Sequence, residues 1–340
     1  VPRPLARGRL MRFHFDPTPE QRAALEAQLA RLQQTAPALE LLAAILPAGF
    51  APAAAICTLQ SVHSDRFVVQ VRVRSRGGEE RVYALKAYSD DFGERVWTHA
   101  VQLAERLPTR HHRPSLPIRY LPQERVLVFD WVEGRILSKI VDGRKPELLR
   151  QAAAVAADLH RASLVPEQPT TAQMLVAETR ARCDNLRPVW PATADLVEPL
   201  LAELQATVPH LDSTDPAPIH GDMAAGQFLW TGERLVLLDW DMFGYADPAY
   251  DVGHFVAQME RRCALDRTLP PEAGRWPGCF RDAYLAVMPQ VSPRNVSFYR
   301  ALTLLQKTYT VCRRQPAEGP QQAVRLAACA RAALEDVRRQ

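Results

Sequence analysis

Apolar residues recur at intervals of three and four positions across residues 17–46, which is the period of one buried helix face. Thr18 stands at the start of this run and Gln21 follows three positions later, a spacing typical of a capping box. The run contains no catalytic signature. We therefore predict that residues 1–50 form a leader, ahead of Met11, and a helical extension that packs on its neighbour or acts as a lid.

From residue 55 the period shortens to two, which indicates strands with one buried and one exposed face. Two alternating runs flank the pair Gly77-Gly78, and this arrangement predicts a β-hairpin. A helical run then ends before Pro108. The sequence thus predicts a mostly antiparallel unit over residues 51–133. Its predicted elements are strands at 68–74, 81–86, 116–121 and 125–132 and a helix at 92–107.

Beyond Gly134 the helical period dominates, and short apolar strands interrupt it only within residues 217–240. We predict an α+β fold with two lobes, in which a small antiparallel-sheet lobe precedes a larger, mainly helical lobe over residues 134–340. The predicted helices of the second lobe lie at 146–163, 172–183, 191–207, 249–263, 278–288, 295–314 and 320–338.

Composition narrows the class of protein without naming a function. No apolar run reaches the ~18 residues that a membrane span needs, so we expect no membrane partner. The 42 basic residues nearly balance the 38 acidic ones, which gives no reason to expect nucleic-acid binding. Only four basic residues are lysine, so the position of each lysine is more informative than usual. The six cysteines lack metal-ligand spacing, and we expect free thiols in a cytoplasmic protein of undetermined oligomeric state.

Candidate chemistry surrounds a short predicted hairpin at 228–238. Asp222 and Gln227 precede the hairpin and Asp239 follows it, so all three come to one end. Carboxylate and amide oxygens of this kind suit Mg²⁺. A carboxylate, an amide five positions later and a second carboxylate after a hairpin also match the order in kinase catalytic loops. There the first Asp accepts the hydroxyl proton and the other two residues hold the metal.

These residues resemble the aminoglycoside phosphotransferase/choline kinase family. Its pattern is His-Gly-Asp, four residues, Asn, a strand, Ile/Leu-Asp-Trp/Phe-Glu/Asp and then Asp-Pro-x-x-Asp. The resemblance implies a bilobal protein-kinase-like fold and ATP-dependent phosphoryl transfer to the hydroxyl of a small molecule. The matching residues are His220-Gly221-Asp222, Gln227, Leu238-Asp239-Trp240-Asp241 and, as a helix cap and a support for the catalytic loop, Asp247 and Asp251.

The resemblance also implies residue roles, with Asp222 as the catalytic base and Asp239 as the main Mg²⁺ ligand. Gln227 stands where most members have Asn, and its amide oxygen can still bind the metal. Maltokinase-like, sugar-directed members are similar in carrying Gln here. Asp241 is expected either to assist the metal or to face solvent, and His220 to pack the loop rather than to exchange protons.

The first lobe is expected to hold the nucleotide. Lys86 ends a predicted strand and resembles the family's phosphate-binding lysine. Its partner on the next helix is open: the separation from Lys86 favours Glu105, with Glu94, His99 and Gln102 as alternatives.

The segment 129–134 resembles the hinge of the family, where Asp130 and Val132 would bind adenine through the backbone. The loop 61–66, which separates two predicted strands, would cover the phosphates although it contains no glycine.

The acceptor is predicted to be a sugar, an amino sugar or an amino alcohol. The family's acceptor site lies between the catalytic loop and the C-terminal helices, and this chain lacks a decisive acidic cluster there. A sequence pI of about 8.8 weighs against a polycationic antibiotic. Two alternatives stay open, an aminoglycoside-resistance kinase and a non-catalytic nucleotide-binding regulatory module. The residues considered for acceptor binding are Asp247, Glu260, Arg261, Arg262 and Asp266.

Overall fold

The computed structural model describes residues 16–107 and 112–340, and the leader predicted ahead of Met11 lies outside these residues. The described residues form an α+β fold, as predicted. A five-stranded antiparallel sheet occupies the first part of the chain and α-helices dominate the second.

The strands of the first sheet are β1 (Pro52–Val62), β2 (Arg66–Ser75), β3 (Glu80–Tyr88), β5 (Arg119–Leu121) and β6 (Val126–Asp130). Their order across the sheet is β1-β2-β3-β6-β5, and all pairs are antiparallel. Strand β2 buries every second residue because alternate side chains point to one face. The predicted hairpin is confirmed, since β2 and β3 pair in the register Val71↔Tyr83.

Two helices, α1 (Pro19–Leu32) and α2 (Thr35–Leu42), cover the apolar face of this sheet. Thr18 and Gln21 form the predicted capping box. The predicted single helix is in fact two, because Pro37 cannot donate the backbone hydrogen bond that a continuous helix requires. In the structure the extension packs on the first sheet, and a role as a lid stays a prediction.

Helix α3 (Phe92–Arg106) follows β3, and its His99 contacts residues of the second half of the molecule. A parallel pair then joins the two halves, since β4 (His112–Pro114) pairs with β10 (Leu235–Leu237) in the second half. Strand β10 also forms the predicted hairpin with β9 (Phe228–Trp230). Strand β7 (Arg135–Ile136) lies along β9. A separate pair is formed by β8 (Ala217–Ile219) and β11 (Gly244–Ala246).

The helices of the second half lie within a few residues of their predicted positions. Helices α7 (Ala249–Leu265) and α9 (Pro293–Arg314) pack closely, because a Cβ on Gly253 would stand only 2.7 Å from the backbone nitrogen of Arg300. The helices are α4 (Lys145–His160), α5 (Ala172–Asp184), α6 (Pro191–Thr207), α7 (Ala249–Leu265), α8 (Trp276–Val287), α9 (Pro293–Arg314) and α10 (Gly319–Arg339).

Two main hydrophobic cores accompany this division, one under the first sheet and one among the later helices. The lobe boundary near Gly134 stays a prediction. Among the described helices, none combines the length and the apolar character needed to cross a membrane. All six cysteines are unpaired in the structure.

Candidate active site

Asp251, in the first turn of α7, holds the loop that leads to Asp222. Its fully buried carboxylate accepts the backbone N–H groups of His220 at 2.7 Å and Gly221 at 2.9 Å. His160 Nε2 lies 3.1 Å from the same carboxylate. Burial alone would raise the pKa of Asp251, but the hydrogen bond and charge of His160 outweigh burial, and the pKa lies below its ordinary value. The predicted support for the catalytic loop is therefore present as direct hydrogen bonds.

The loop turns sharply at Gly221, whose φ of +79° lies in the left-handed region. A Cβ at this position would stand 2.1 Å from the carbonyl oxygen of Met242, so only glycine fits. His220 is buried, and its Nε2 lies 2.8 Å from the carbonyl oxygen of Leu238. Its ring packs against Trp240 with 5.2 Å between centroids. His220 thus packs the loop, in agreement with the interpretation from sequence.

Both carboxylate oxygens of Asp222 have a donor within the protein. Gln227 Nε2 donates to Oδ2 at 2.8 Å, and His254 Nε2 lies 3.1 Å from Oδ1. Burial would raise the pKa of Asp222, but the hydrogen bond from His254 and the nearby charge of Lys307 lower it below its ordinary value. Asp222 is therefore an ionised carboxylate at neutral pH, with 38% of its side chain exposed. Each oxygen retains a lone pair that can accept a further donor.

Asp239 has a left-handed backbone with φ of +59°, a conformation that costs a non-glycine residue about 1–3 kcal/mol. This turn at the end of β10 directs its carboxylate to Lys86, with Nζ 2.7 Å from Oδ1. The same ammonium lies 2.6 Å from Asp241 Oδ1. Burial would lower the pKa of Lys86, but the two carboxylates raise it above its ordinary value. Lys86 is thus a charged group from β3 that spans the cleft between the two halves.

Asp241 does not face solvent, so that alternative is wrong. Only 9% of its side chain is exposed, and it accepts a hydrogen bond of 2.7 Å from the Tyr88 hydroxyl. Arg66 Nε lies 3.6 Å from its other oxygen. Two cations and a hydroxyl group thus surround this carboxylate. A role for Asp241 in assisting the metal stays a prediction.

The structure does not bring Glu105 to Lys86. Helix α3 buries the side that carries His99 and Leu103, and Glu105, two positions after Leu103, points away from that side and is exposed. Within residues 16–107 and 112–340, Lys86 forms its ion pairs with Asp239 and Asp241. His99 is the residue that α3 directs inward.

His99 lies close to the segment that carries Asp239, because its ring centroid is 4.9 Å from that of Phe243. Its Nε2 lies 2.6 Å from Glu167 Oε1, so its partner is in the second half of the molecule. Of the residues considered on α3, His99 is the one placed at the interface of the two halves.

The predicted adenine-binding segment joins β6 to β7. Asp130 is exposed at the end of β6, and Val132 is half-buried two residues later. Between them, the backbone N–H of Trp131 donates to the carbonyl oxygen of Val82 at 2.9 Å and fixes the segment beside β3. Nucleotide binding by Asp130 and Val132 stays a prediction.

Two cavities meet at Asp222. The smaller has a volume of about 210 Å³ and lies between the lobes. The larger has a volume of about 740 Å³ and lies between the catalytic loop and helices α7, α9 and α10. Asp239, Asp241, Arg66, Tyr88, His254 and Lys307 border the smaller cavity, and Gln227, Lys145, Arg261, Arg262 and Arg314 border the larger.

The oxygen donors fit a hard divalent cation. Asp222 and Asp239 border the same cavity, and the Oε1 atom of Gln227 has no hydrogen-bond donor in the described part of the chain. Nowhere in that part do three histidine, cysteine or carboxylate side chains converge closely enough to hold a metal ion. Two protein oxygens completed by phosphate and water are the usual surroundings of Mg²⁺. The donor set therefore suits a metal that arrives with a nucleotide.

Sequence reasoning gave no role to several residues of the site. His254 follows Asp251 by three positions and so lies on the same side of α7, a relation that helical spacing could have shown. For Lys307 the sequence offered no signal of a role in the site beyond the small number of lysines, four in all. Arg66 was noticed only as the last residue of the loop between the two strands.

Of the residues predicted for acceptor binding, Arg261, Arg262 and Asp266 border the larger cavity. Glu260 instead pairs with Arg300 at 2.8 Å.

Comparisons with known proteins identify a family model and solved structures that resemble this chain. A model described as the phosphotransferase enzyme family matches residues 103–278. No curated protein sequence matches the chain.

Solved structures resemble the whole architecture. A candidate aminoglycoside phosphotransferase from Ralstonia eutropha aligns with a TM-score of 0.64 at 14% identity, over 89% of this chain and 98% of that one. A choline kinase from Streptococcus pneumoniae aligns with a TM-score of 0.58 at 12% identity, over 88% and 98%. A spectinomycin phosphotransferase, solved with ADP and spectinomycin, aligns with a TM-score of 0.59 at 11% identity, over 88% and 98%. At these identities the likeness shows the fold, and the predicted kinase-like α+β fold is confirmed.

Proposed function

The chain belongs to the phosphotransferase enzyme family, and we propose that it transfers the γ-phosphate of ATP to a hydroxyl group of a small molecule. The family resemblance inferred from the motifs is thereby confirmed. One observation carries the assignment of roles: Asp222 and Asp239 border one cavity, while Gln227 is hydrogen-bonded to the first and Lys86 to the second.

Asp222 is the proposed catalytic base. Its donors, Gln227 and His254, fix the carboxylate without using all its lone pairs, so an acceptor hydroxyl can donate to it. A carboxylate that stays ionised at neutral pH is a weak base. It therefore orients the hydroxyl first and accepts the proton only as the new bond forms, which suits a reaction governed by positioning.

The reaction conserves atoms in a simple way. The acceptor oxygen forms a bond to the γ-phosphorus, and the bond from that phosphorus to the β,γ-bridging oxygen breaks. ADP leaves with the electron pair of that bond, and the acceptor proton passes to Asp222. Lys86 would hold phosphate oxygens once it is released from one carboxylate, and the position of its ammonium across the cleft beside Asp239 supports this role.

Asp239 and Gln227 are the proposed Mg²⁺ ligands. When bound with ATP, the metal would neutralise charge on the phosphate oxygens. Asp130 and Val132 would contact adenine through the backbone of the segment between β6 and β7. The roles of Asp239 and Gln227 rest on the family resemblance and on their positions at the two cavities that meet at Asp222. Those of Asp130 and Val132 rest on the family resemblance.

A sugar-type hydroxyl is the proposed acceptor group. The Gln at position 227, rather than Asn, is similar to sugar-directed members of the family. An aminoglycoside is disfavoured because acidic side chains do not dominate the larger cavity.

Substitution of Asp222 by Asn tests the proposal. We expect Asp222→Asn to lower the turnover of ATP to ADP by ~100-fold or more, because it removes the proton acceptor. Nucleotide affinity, measured by calorimetry with Mg²⁺, should change by less than about threefold, since Asp222 is not a proposed metal ligand. Asp239→Asn should instead weaken Mg²⁺-dependent nucleotide binding itself.

Asp282→Asn is the matched control, because Asp282 is an exposed aspartate on α8 that pairs with its neighbour Arg281. It should leave turnover and binding unchanged. Nucleotide binding without turnover across a panel of sugars, amino sugars and amino alcohols would favour the regulatory module instead. Absence of Mg²⁺-dependent nucleotide binding in the wild-type protein would refute the proposal.

A further inference from the structure

The larger cavity carries an excess of positive charge. Apart from Asp222, two carboxylates border it, Asp266 and Glu318, against five basic side chains. Asp266 is already engaged by Arg262 at 3.4 Å and by the Thr268 hydroxyl at 2.6 Å. Glu318 is exposed at the rim and accepts from Gln322 at 3.2 Å. The five basic residues are Lys139, Lys145, Arg261, Arg262 and Arg314.

Lys145 is the most deeply placed of these cations, with 1% of its surface exposed. Its ammonium donates to the carbonyl oxygen of Leu137 at 2.5 Å and lies 5.2 Å from the ring centroid of Trp276. No carboxylate pairs with it among the residues that the structure describes. Burial and the nearby charge of Arg262 lower its pKa to about 8. A buried ammonium with two donor positions still available is an incomplete site, because such groups are normally paired.

Arg261, on α7, is a second cation of this cavity. Its Nε donates to Gln258 Oε1 at 3.1 Å, and no described carboxylate forms an ion pair with it. Burial and the charge of Arg314 lower its pKa below the ordinary value. Like charges brought together at partial burial oppose folding, and an anion between them would remove that repulsion.

The distribution of lysine points to the same place. The chain has 42 basic residues and only four are lysine. Lys139 and Lys145 border the larger cavity, Lys307 borders the smaller one, and Lys86 spans the cleft. All four lysines therefore lie where phosphate or acceptor would be held. Lysine offers a compact point charge, which suits an anion that approaches from one direction.

We infer that the acceptor is an anionic molecule, in which the reacting hydroxyl meets Asp222 and a carboxylate or phosphate group is bound by Lys145, Arg261 and Arg262. This inference rests on the proposed function and names the substrate class of the same site. It distinguishes the site from one built for a neutral sugar or a polycationic antibiotic, both of which would leave Lys145 and Arg261 without an anionic partner.

The test compares four ligands with one ring and different charge: glucose, glucosamine, glucuronate and glucose 6-phosphate. Thermal-shift and calorimetric binding are measured with ADP and Mg²⁺ present. We expect glucuronate or glucose 6-phosphate to bind at least about tenfold more tightly than glucose, because each charge-assisted hydrogen bond contributes ~10- to 100-fold. Comparison of the affinities of glucuronate and glucose 6-phosphate shows whether the site prefers a carboxylate or a phosphate group.

Two variants locate the effect. Arg261→Gln and Lys145→Met should each weaken binding of the preferred anion by ~10-fold or more and leave binding of ADP with Mg²⁺ unchanged. Arg331→Gln, which removes one exposed charge from α10 outside the cavity wall, is the matched control and should change neither. Circular dichroism melting curves confirm that the variants are folded.

The outcomes separate this inference from the proposed function. Tighter binding of glucose or glucosamine than of both anions would overturn the anionic acceptor, as would anion binding that is equal in wild type and Arg261→Gln. So would the absence of binding by both anions to the ADP-bound protein. In each case normal ADP and Mg²⁺ binding would leave the kinase proposal standing, whereas loss of nucleotide binding in the wild type would remove both.

Discussion

Replacement of Asp251 by Asn should destabilise the protein and impair catalysis together. Asn has the same shape but offers one acceptor oxygen and one NH₂ group. If the oxygen keeps the His220 N–H, the NH₂ group faces the N–H of Gly221, donor against donor. At least one charge-assisted hydrogen bond is then lost, at about 1.5–3 kcal/mol, and the others become neutral and weaker. We expect the free energy of unfolding to fall by ~3 kcal/mol.

The dependence of stability on pH shows whether ionised Asp251 stabilises the fold. The folded-state pKa of Asp251 is depressed, so its ionisation stabilises the fold above the unfolded-state pKa of about 4. That stability is lost as the pH falls through the folded-state value. The difference in the free energy of unfolding between wild type and Asp251→Asn, measured by urea titration, should therefore be constant from about pH 5 to 7 and become smaller below pH 4.

Catalysis provides the second measurement. Loss of the anchor lets Gly221 and Asp222 shift, and a displacement of about 1 Å can cost ~100-fold in kcat. The KM for the nucleotide should change much less, because β3 and Asp239 are untouched. A purely structural role would lower the amount of active enzyme without this split. The reasoning is refuted if the folded variant retains wild-type kcat, or if its free energy of unfolding stays within about 0.5 kcal/mol of wild type.

Two further predictions concern residues around the same loop. Gly221→Ala should lower the free energy of unfolding by about 2 kcal/mol or more in urea titrations, because φ is +79° and the new Cβ would meet the Met242 carbonyl at 2.1 Å; an unchanged midpoint would contradict the tight turn. Lys145→Met should raise the free energy of unfolding by ~1–2 kcal/mol at pH 7. The pKa of Lys145 falls from its ordinary value near 10.5 to about 8, so the charged ammonium destabilises the folded state, and its contacts with Leu137 and Trp276 offset part of that cost. The difference from wild type should shrink as the pH rises from about 8 to 10.5, and a gain that persists at pH 10.5 would count against the charge explanation.

Local patterns predicted most elements of the fold. The hairpin of β2 and β3, the hairpin of β9 and β10 and the later helices follow from periodicity and turn residues alone. The parallel pairing of β4 with β10 joins segments more than a hundred positions apart, and no local pattern encodes it. The break between α1 and α2 was readable from Pro37, since the apolar period continues across it and only the missing backbone donor interrupts the helix.

The catalytic residues and the acceptor residues differ in how far sequence can predict them. Asp222, Gln227 and Asp239 flank one short hairpin, so their convergence at one end of it follows from the turn between its two strands. The wall of the larger cavity instead combines the start of α4 with α7 and the end of α9, and its charge depends on how these helices pack. The sequence alone therefore predicted only a mixed polar acceptor pocket.

The destabilising burial of these cations is the reason to assign them a function. A lysine on a surface is hydrated and says little about function, but Lys145 is buried beside Arg262 at a cost that packing alone does not explain. A hydrophobic side chain of similar length would fill the same space beside Trp276 without that cost. Residues that lower stability in the free protein are expected where a ligand later compensates them. The predicted stability gain of Lys145→Met and its predicted loss of anion binding are thus two measurements of one interaction, and they should appear together.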